Sequence, residues 1–396
     1  MERAELVELL SPEGLRLLDS LPPYESAADV VRMVTELRKQ GHPPGLVATV
    51  LTQSKLRAKA ASKFGPFASR MLFTEAGLEQ ATRLNVAARH AARYVQSGLT
   101  RVADLGCGIG GDAMAMAALD LEVTAVDADE VTAAIASYNL APFSNARVMR
   151  SKAEEMDLVG QDAAFLDPAR RTSGHSNTRR LADPAEWSPR LDFVFGLAER
   201  MPVGVKLGPG VDRSLLPDDA EAQWVSVDGQ VVEVGVWTGA LARDGIRRAA
   251  LVVKSGEAAE LTAPADSPDE PTGELGAYLY EPDGAVIRAR LIGDLARSLD
   301  ARMLRHDIAY LTSDTVTASP FATAFRVVEE LPTKEADLRA ALAKRGIGSL
   351  EIKKRGADVD PAALRKRLKP KGPASGTLVL TRIGARHVAL LVERVG

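Results

Sequence analysis

The sequence predicts an α/β protein in which a doubly wound, parallel sheet lies between an N-terminal helical domain and a small C-terminal α/β module. Three observations predict this. Between residues 101 and 254, short apolar runs alternate with helical segments, as strands and helices do around a parallel sheet. The first 98 residues have apolar spacing near the helical period instead. With 396 residues, the chain is also longer than one ordinary core supports.

The N-terminal domain, residues 1–98, is predicted to be helical. One helix is predicted to begin at Ser11 and Pro12. The Ser11 hydroxyl can accept a hydrogen bond from a backbone N–H of the first turn. Pro12 fits the first helical position, because a backbone N–H there would have no partner within the helix. Gly41 is predicted to end another helix in the left-handed conformation. Two further helices are predicted over 45–65 and 77–98.

Residues 99–255 are predicted to form the sheet domain. The predicted parallel strands are the apolar runs "RVADLG", "EVTAVDAD", "NARVMRS", "DAAFLDPAR", "PVGVKLG" and "RRAALVVK". Asp228-Gly229 is a strong turn dipeptide and predicts a hairpin, which closes the sheet with an antiparallel edge pair. Residues 256–275 are rich in Ala, Pro, Asp and Glu without a period, and they are predicted to be a linker.

The remainder of the chain is predicted as two segments. Residues 276–318 contain a predicted hairpin at Asp283, followed by a helix. Residues 319–396 contain two predicted strands, a helix over 334–345 and a basic helix after Asp360. This pattern is typical of a small α/β module.

The net charge of −3 is unevenly distributed. Residues 339–371 hold 11 Lys+Arg against 3 Asp+Glu, and residues 55–93 hold 8 against 2, whereas residues 99–338 have a net charge of −16. Basic regions on both sides of an acidic body indicate two patches that bind a polyanion. The alternative is that these basic residues are the solvated faces of helices.

The composition argues against several classes of protein. No run of 18 uncharged apolar residues occurs, so no membrane-spanning helix is expected. The acidic, amphipathic start "MERAELVELL" lacks the pattern of a signal peptide, and a cytoplasmic location is expected. A single cysteine cannot form a disulfide framework, and the five histidines are scattered, so no metal site is expected.

Three glycines at alternate positions follow the first predicted strand in "VADLGCGIGGD": Gly106, Gly108 and Gly110. Glycine is required where the backbone turns tightly and a ligand approaches without a Cβ in the way. The same letters also satisfy the dinucleotide pattern, so a nicotinamide cofactor and a turn without a ligand stay open as alternatives.

Two acidic residues favour S-adenosylmethionine over a dinucleotide. Asp104 lies two residues before the first glycine, where it would repel a pyrophosphate but attract the ammonium and sulfonium groups of S-adenosylmethionine. Asp127 ends the second predicted strand, 21 residues after Gly106, where a carboxylate accepts hydrogen bonds from ribose hydroxyls. The sequence therefore predicts S-adenosylmethionine as the cofactor.

The segment 104–110 resembles the first motif of class I S-adenosylmethionine-dependent methyltransferases. Asp127 matches the ribose-binding acid of that family, Glu154 its adenine-contacting region, and Asp167 its fourth motif. The resemblance spans roughly 100–255 and implies a Rossmann-like class I methyltransferase sheet. It implies that the cofactor is bound by Asp104, Gly106, Gly108, Gly110, Asp127 and Glu154.

The catalytic residues that this resemblance implies are Asp167 and Pro168, in the segment "FLDPARR". The ends of parallel strands face the crevice where open α/β sheets bind ligands. Asp167 can accept a hydrogen bond from an exocyclic amine or a base N–H, and Pro168 frees the neighbouring carbonyl from the strand ladder. Arg170 and Arg171 are predicted to stack on a base or to contact phosphate. A turn that merely ends the strand is the alternative.

The only cysteine bears on the type of methylation. Methylation at C5 of a pyrimidine usually needs a cysteine nucleophile near the base. Cys107 lies inside the glycine loop, where a small packing residue is expected, so methylation of a nitrogen or hydroxyl is favoured. Lys206 is predicted near the same sheet edge without an assigned role. The tryptophans are expected to be structural: Trp187, Trp224 and Trp237.

Beyond the sheet, "YLYEPDGAVIRA", "YLTSD" and "IKKRG" resemble bacterial methyltransferase-like proteins that carry a ferredoxin-like segment and a C-terminal THUMP-like domain. The N-terminal "FTEAGLEQAT" is similar to theirs. The resemblance implies a ferredoxin-like segment over 276–318, a THUMP-like RNA-binding domain over 319–396, and RNA as the partner. The expected phosphate contacts are Lys353, Lys354, Arg355, Arg365, Lys366 and Arg367.

The sequence therefore predicts a methyltransferase that modifies a nitrogen of a nucleotide in structured RNA, either tRNA or rRNA. Two alternatives stay open: a catalytically inactive methyltransferase fold that only binds RNA, and a small-molecule methyltransferase whose basic end is incidental. The intact acidic residues and glycine loop favour an active enzyme.

Overall fold

The computed structural model describes residues 1–24, 26–169, 183 and 186–395. The chain forms two compact units, each built from two parts of the sequence. The first unit consists of Met1–Leu207 and Val236–Ala242, and the second of Gly208–Gly235 and Arg243–Gly396. No helix in the described ranges combines the length and the apolar character needed to cross a membrane.

The described residues form 13 α-helices and 16 strands. The helices are α1 (Arg3–Leu9), α2 (Pro12–Ser20), α3 (Ala27–Lys39), α4 (Pro44–Phe64), α5 (Glu75–Gln80), α6 (Leu84–Gln96), α7 (Gly111–Ala117), α8 (Glu130–Leu140), α9 (Leu191–Ala198), α10 (Gly284–Arg288), α11 (Ile292–Ser298), α12 (Glu335–Lys344) and α13 (Pro361–Leu368). The strands are β1 (Arg101–Leu105), β2 (Glu122–Asp127), β3 (Ala146–Arg150), β4 (Ala163–Leu166), β5 (Val203–Leu207), β6 (Glu221–Val227), β7 (Gln230–Trp237), β8 (Arg248–Lys254), β9 (Glu257–Ala263), β10 (Tyr278–Pro282), β11 (Arg302–Arg305), β12 (Ile308–Ser313), β13 (Ala322–Leu331), β14 (Ile347–Lys354), β15 (Ala374–Ile383) and β16 (Arg386–Arg394).

The first unit contains five parallel strands in the order β3-β2-β1-β4-β5. The chain order reverses between β1 and β4, so the loops after these two strands leave a crevice at the carboxyl edge of the sheet. β4 and β5 are buried along their full length, as expected for strands covered on both faces. The predicted parallel sheet is confirmed.

The N-terminal helices pack on this sheet and share its hydrophobic core. Phe64 of α4, Tyr94 of α6 and Phe165 of β4 belong to one cluster of buried residues. The Tyr94 hydroxyl also donates a hydrogen bond to the Ala164 carbonyl at 2.8 Å. Residues 1–98 are therefore part of the first unit, whereas the sequence suggested a domain of their own.

The helix starts and ends of this region follow the predicted capping. The Ser11 hydroxyl accepts a hydrogen bond from the Gly14 backbone N–H at 3.0 Å, and Pro12 is the first residue of α2. Gly41 has a φ of 90°, directly after the C-cap of α3. These two predictions are confirmed because capping depends on residues that are adjacent in sequence.

The single helix predicted over 77–98 is wrong, because the segment forms α5 and α6 with a break between them. Lys63 of α4 accounts for the break. Its Nζ donates to the carbonyls of Leu78, Glu79 and Ala81, each at 2.8 Å. The last carbonyls of α5 are thereby satisfied without a further helical turn.

In the second unit, β6 pairs in parallel with β8, and β8 pairs antiparallel with β9. Asp228 and Gly229 connect β6 to β7 with φ values of 49° and 81°, as the predicted hairpin turn requires. The linker predicted over 256–275 is wrong at its start, because Glu257–Ala263 forms β9. This strand is at the edge of its sheet and only its last residue is buried, so it lacks the apolar pattern by which strands are recognised.

A seven-stranded sheet in the second unit has the order β11-β12-β10-β13-β16-β15-β14. β10 pairs antiparallel with β13, so the segments predicted over 276–318 and 319–396 share one sheet. Leu338 of α12 and Leu364 of α13 pack in one cluster on this sheet.

Asp283 begins a helix, so the hairpin predicted there is wrong. Its φ is −60°, and its Oδ1 accepts a hydrogen bond from the Ala285 N–H at 2.9 Å, which caps α10. A two-residue hairpin of this type needs positive φ at both central residues, and neither Asp283 nor Gly284 has it.

Candidate active site at the carboxyl edge of the first sheet

A cavity of about 620 Å³ opens at the carboxyl ends of the parallel strands in the first unit. Four neighbouring strands each contribute one charged residue to its wall: Asp104, Asp127, Asp167 and Lys206. The N-terminal region contributes Thr74, Gly77, Gln80 and Thr82. The volume lies within the range of small-molecule sites, roughly 300–1,000 Å³.

The glycine loop forms part of this wall, and its backbone requires glycine. The φ values of Gly106, Gly108 and Gly110 are 97°, 55° and 85°. A Cβ at Gly108 would meet no atom within 4 Å, and a Cβ at Gly106 would lie 3.7 Å from the Asp167 carbonyl oxygen. Gly110 faces Leu140 and is not among the described residues that line the cavity. Gly106 and Gly108 therefore leave the cavity side of the loop open.

Asp127 ties the glycine loop to the end of β2. Its Oδ2 accepts a hydrogen bond from the Gly108 N–H at 3.1 Å, and its Oδ1 accepts one from Asp129 at 2.9 Å. Burial raises its pKa above the usual value, against the effect of these two hydrogen bonds. Each carboxylate oxygen accepts more than one hydrogen bond, so Asp127 can also bind hydroxyl groups of a ligand.

Asp104 is the most deeply buried acid of the cavity wall, with 1% of its surface exposed. Its Oδ2 has no hydrogen-bond partner among the described residues. Burial holds its pKa well above the usual value, and the charges of Asp112 and Asp167 raise it further, while Lys206 lowers it. A buried carboxyl with an unpartnered oxygen is a favourable place for a cationic group of a ligand.

Asp167 lies directly after β4, and 34% of its side chain is exposed. Pro168 is buried, ends the strand, and is not among the described residues that line the cavity. The predicted positions of these two residues at the strand end are therefore correct, although only Asp167 reaches the cavity. Arg170 and Arg171 lie outside the described residues.

Lys206 is held against Asp167. Its Nζ lies 2.5 Å from the Asp167 Oδ2, and only 9% of the residue is exposed. The same ammonium donates to the Thr82 hydroxyl at 2.9 Å and to the Gln80 carbonyl at 3.4 Å. The sequence signal for this pair was limited to two charged residues at neighbouring strand ends, and no role for Lys206 was predicted.

Thr82 extends these contacts into the protein. Its hydroxyl donates to the Asp112 Oδ2 at 2.6 Å, and the His90 Nδ1 lies 2.8 Å from the Asp112 Oδ1. Burial opposes the ionisation of Asp112, but the hydrogen bond and charge of His90 and the charge of Lys206 outweigh it, so the pKa of Asp112 is lowered. Sequence reasoning missed Thr82, Asp112 and His90, because only tertiary packing brings them together.

Glu154 lines the cavity from an exposed position after β3, and its predicted contact with adenine stays a prediction. Cys107 is buried, and burial raises the pKa of its thiol well above the usual value, which disfavours the reactive thiolate. The tryptophans are buried, as expected of structural residues: Trp187, Trp224 and Trp237. In the described part of the chain, no group of three or more His, Cys, Asp or Glu side chains is placed to hold a metal ion.

In the second unit, Glu281 pairs with two of the cations expected to contact RNA. The Lys353 Nζ lies 2.7 Å from the Glu281 Oε2, and the Arg355 Nη2 lies 3.8 Å from its Oε1. Each cation also lies over an aromatic ring, at 5.7 and 5.5 Å from the ring centroid. Lys354 is exposed and makes no ion pair with the described residues.

The other three expected phosphate contacts lie on α13. Arg365, Lys366 and Arg367 are exposed in its last turn, where positive charge also stabilises the helix dipole. Arg367 pairs with Glu335 of α12 at 2.8 Å. Arg365 and Lys366 form no ion pair within the described ranges.

The cavity suits a ligand that carries a positive charge and hydroxyl groups. Asp104 supplies a buried acceptor for a cation, and Asp127 supplies an acceptor at the loop. Asp167, paired with Lys206, supplies a further carboxylate at the wall. The open space beside Gly106 and Gly108 allows a ligand to approach the backbone closely.

Comparison with family models matches two parts of the chain. A model described as "THUMP domain-like" matches residues 322–394. A model described as "Domain of unknown function (DUF8688)" matches residues 2–60.

Two curated relatives match most of the chain. Both are uncharacterized S-adenosylmethionine-dependent methyltransferases of Mycobacterium tuberculosis, from two strains, and both are 35% identical over 363 residues, which is 89% of this chain and 97% of the relative. Among solved structures, a putative methyltransferase from Porphyromonas gingivalis W83 superposes with a TM-score of 0.70 at 20% identity, over 95% of this chain and all of that one. The latter likeness concerns the fold.

Proposed function

This chain belongs to the family of S-adenosylmethionine-dependent methyltransferases, and on that premise we propose that it methylates a nitrogen of a nucleotide in structured RNA, either tRNA or rRNA. The observation that carries the proposal is the position of Asp167, which lines the same cavity as the glycine loop. The segment 322–394, similar to a THUMP domain, supports RNA as the substrate class.

The residues of the cavity fit S-adenosylmethionine. We assign Asp104, whose Oδ2 lacks a partner among the described residues, to the cationic methionine part of the cofactor, and Asp127 to its ribose hydroxyls. Glu154 is the contact for adenine, and Gly106 and Gly108 leave the room that the cofactor needs. When bound, the cofactor supplies an electrophilic methyl group on a positively charged sulfur.

Asp167 binds and orients the nucleotide. An ionised carboxylate can only accept hydrogen bonds. It therefore selects, as the nitrogen to be methylated, one that carries a hydrogen and can donate it. That hydrogen bond directs the nitrogen lone pair toward the methyl group and increases its electron density. As the new N–C bond forms, this nitrogen loses its proton, and the Asp167 carboxylate is placed to take it up.

Three exposed cations of the second unit are the phosphate contacts in this proposal: Lys354, Arg365 and Lys366. Phosphate contacts from Lys and Arg supply most of the sequence-independent affinity for nucleic acid. Lys353 and Arg355 are excluded from this role, because Glu281 already binds both of them.

The test compares modified nucleosides by mass spectrometry in tRNA and rRNA from wild-type cells and from cells that lack the gene. One methylated nucleoside should disappear in the deletion strain and return with the wild-type gene, but not with Asp167→Ala. The purified full chain should transfer labelled methyl groups to RNA from the deletion strain.

For Asp167→Ala, we expect a loss of about 10²–10⁴-fold in kcat with little change in cofactor affinity. Label that enters a small-molecule fraction and no RNA fraction would contradict the RNA proposal. Binding of S-adenosylmethionine without transfer to any acceptor would support the catalytically inactive alternative.

A further inference from the structure

We propose that Lys206 and Thr82 are positioning residues for methyl transfer, which together hold Asp167 as an ionised acceptor at the wall of the cavity. The inference rests on the proposed role of Asp167. It assigns a function to a lysine on β5 and to a threonine from the N-terminal helical region.

The contact between Lys206 and Asp167 is short, and its lysine side is buried. The Nζ and the Oδ2 are 2.5 Å apart, with side-chain exposures of 10% for the lysine and 34% for the aspartate. Charge-assisted hydrogen bonds of this kind are strong and directional. Both residues line the cavity, and the Asp167 carboxylate is the more exposed of the two, so it is the more accessible to a ligand and Lys206 supports it.

The orientation of Lys206 is determined by three acceptors. An ammonium has three N–H donors, and among the described residues its acceptors include the Asp167 carboxylate, the Thr82 hydroxyl and the Gln80 carbonyl. A lysine bound at three points cannot rotate to another partner without losing hydrogen bonds. It therefore holds the Asp167 carboxylate in one place.

The Thr82 hydroxyl accepts a hydrogen bond from Lys206 and donates one to Asp112. Its hydroxyl donates to the Asp112 Oδ2 at 2.6 Å, so its lone pairs face the Lys206 ammonium, which donates to it. Asp112 is held in turn by the His90 Nδ1 at 2.8 Å. Since all of these groups are buried, the chain of contacts is preorganised before any ligand binds.

Lys206 also places a positive charge among the acids of the cavity. Among the described residues, Lys206 interacts with the charges of Asp104 on β1, Asp112 on α7 and Lys63 on α4, and Asp104 interacts in turn with Asp127 on β2. Loss of Lys206 removes the cation that lies 2.5 Å from the Asp167 carboxylate and leaves the repulsion between Asp167 and Asp104, which favours the protonated form of Asp167. A protonated carboxyl no longer acts as a pure acceptor for an N–H.

The N-terminal helices acquire a role in the reaction through these contacts. Thr82 and Gln80 lie at the break between α5 and α6, and Lys63 of α4 satisfies the carbonyls at that break. At this break, the Thr82 hydroxyl and the Gln80 carbonyl lie within hydrogen-bonding distance of the Lys206 ammonium. The basic character of this region is partly explained by such internal contacts.

The experiment measures methyl transfer by the full-length chain, with labelled S-adenosylmethionine and bulk tRNA and rRNA from the deletion strain. The variants are Lys206→Met, which removes the charge, and Thr82→Val, which removes the hydroxyl at constant shape. Thr82→Ser is the matched control, because it keeps the hydroxyl.

We expect Lys206→Met to lower kcat by about 100-fold and to move the acidic limb of the pH–rate profile upward by about 1–3 pH units. Thr82→Val should lower kcat by about tenfold, and Thr82→Ser should stay within about twofold of the wild type. Cofactor affinity, measured by calorimetry, should change little in all three.

A second measurement needs no RNA. Thermal unfolding of Lys206→Met, Asp167→Asn and the double variant forms a double-mutant cycle, and the double variant should recover part of the stability lost by Lys206→Met. This recovery is expected because removing one partner of a partly buried ion pair leaves the charge of the other uncompensated.

An unshifted pH profile in a folded Lys206→Met variant overturns the inference, as do equal losses in Thr82→Val and Thr82→Ser. If Lys206→Met does not fold, the pair of Thr82 variants decides. Full activity of Asp167→Ala would instead refute the proposed role of Asp167, and that result is distinguishable because it does not involve Lys206 or Thr82.

Discussion

Lys206 in the first unit and Lys353 in the second form similar ion pairs in very different surroundings. Lys206 lies 2.5 Å from Asp167, and Lys353 lies 2.7 Å from Glu281. Asp167 lines a cavity next to a glycine loop, whereas Glu281 lies on β10 within a seven-stranded sheet. The same interaction therefore supports a site in one unit and the packing of strands in the other.

Other cations of the second unit form ion pairs with acids on neighbouring elements, as Lys353 does. Pairs between neighbouring elements include Arg345 with Glu329 of β13 and Arg367 of α13 with Glu335 of α12. Many cations of the basic C-terminal region thus have acidic partners within the same unit. The count of 11 basic residues over 339–371 overstates the charge that is available to a polyanion.

The comparison predicts that losing an acid has different effects in the two units. Asp127→Ala should weaken the binding of S-adenosylmethionine by roughly 1.5–3 kcal/mol, the scale of hydrogen bonds to a charged group. Glu281→Ala is the matched control and should leave cofactor affinity unchanged. Calorimetry on both variants checks this, and a similar effect in both would remove the distinction between the two units.

The ionised Asp104 carboxylate should lower the stability of the folded protein and, at the same time, strengthen the binding of the cofactor. Its pKa is raised in the folded protein, so its stabilising contribution is present below the ordinary value of about 3.9 and is lost as pH rises through the raised value. Asp104→Asn should therefore become the more stable protein as pH rises, with a Tm about 2–4 °C higher for each kcal/mol.

The cofactor affinity of Asp104→Asn should be lower than that of the wild type. The wild-type affinity should rise with pH as Asp104 ionises, and that of the variant should not. Thermal unfolding and calorimetry across the pH range test both expectations. A variant that is less stable than the wild type at every pH contradicts this account of Asp104.

In the sheet, Glu281→Gln should reduce stability without loss of RNA affinity. Lys353 and Arg355 would lose their shared partner, and a fall of about 2–4 °C in Tm is expected for a loss of about 1 kcal/mol. RNA binding should be equal or slightly stronger, since two cations are released. Weaker RNA binding in this variant would show that Glu281 takes part in recognition.

The smallest expected effects concern the dependence of RNA affinity on salt concentration. Removing Arg365 and Lys366 together should flatten the plot of log affinity against log salt by about 1.4–1.8, at roughly 0.7–0.9 per contact. Removing Lys353, Lys354 and Arg355 should flatten it by only about 0.7–0.9, because Lys354 alone among them lacks an ion pair with the described residues. Gel-shift titrations with tRNA at several salt concentrations distinguish the two clusters, and a larger effect in the second would refute their ranking.

The sequence by itself determined the parallel sheet, the glycine loop and the strand ends that carry Asp104, Asp127 and Asp167. Each of these depends on neighbours in the chain: alternating apolar runs, glycines with positive φ, and a proline that stops a strand. The predicted family, cofactor and THUMP-like C-terminal domain are confirmed for the same reason, since their motifs are local in sequence.

Only the tertiary structure decided which charges meet. Thr82 lies 124 residues before Lys206, and Glu281 lies 72 residues before Lys353, so neither contact leaves a local pattern. The break after α5 depends likewise on Lys63 of another helix. An ion pair depends on which strands and helices become neighbours, and a count of charges along the chain contains no information about that.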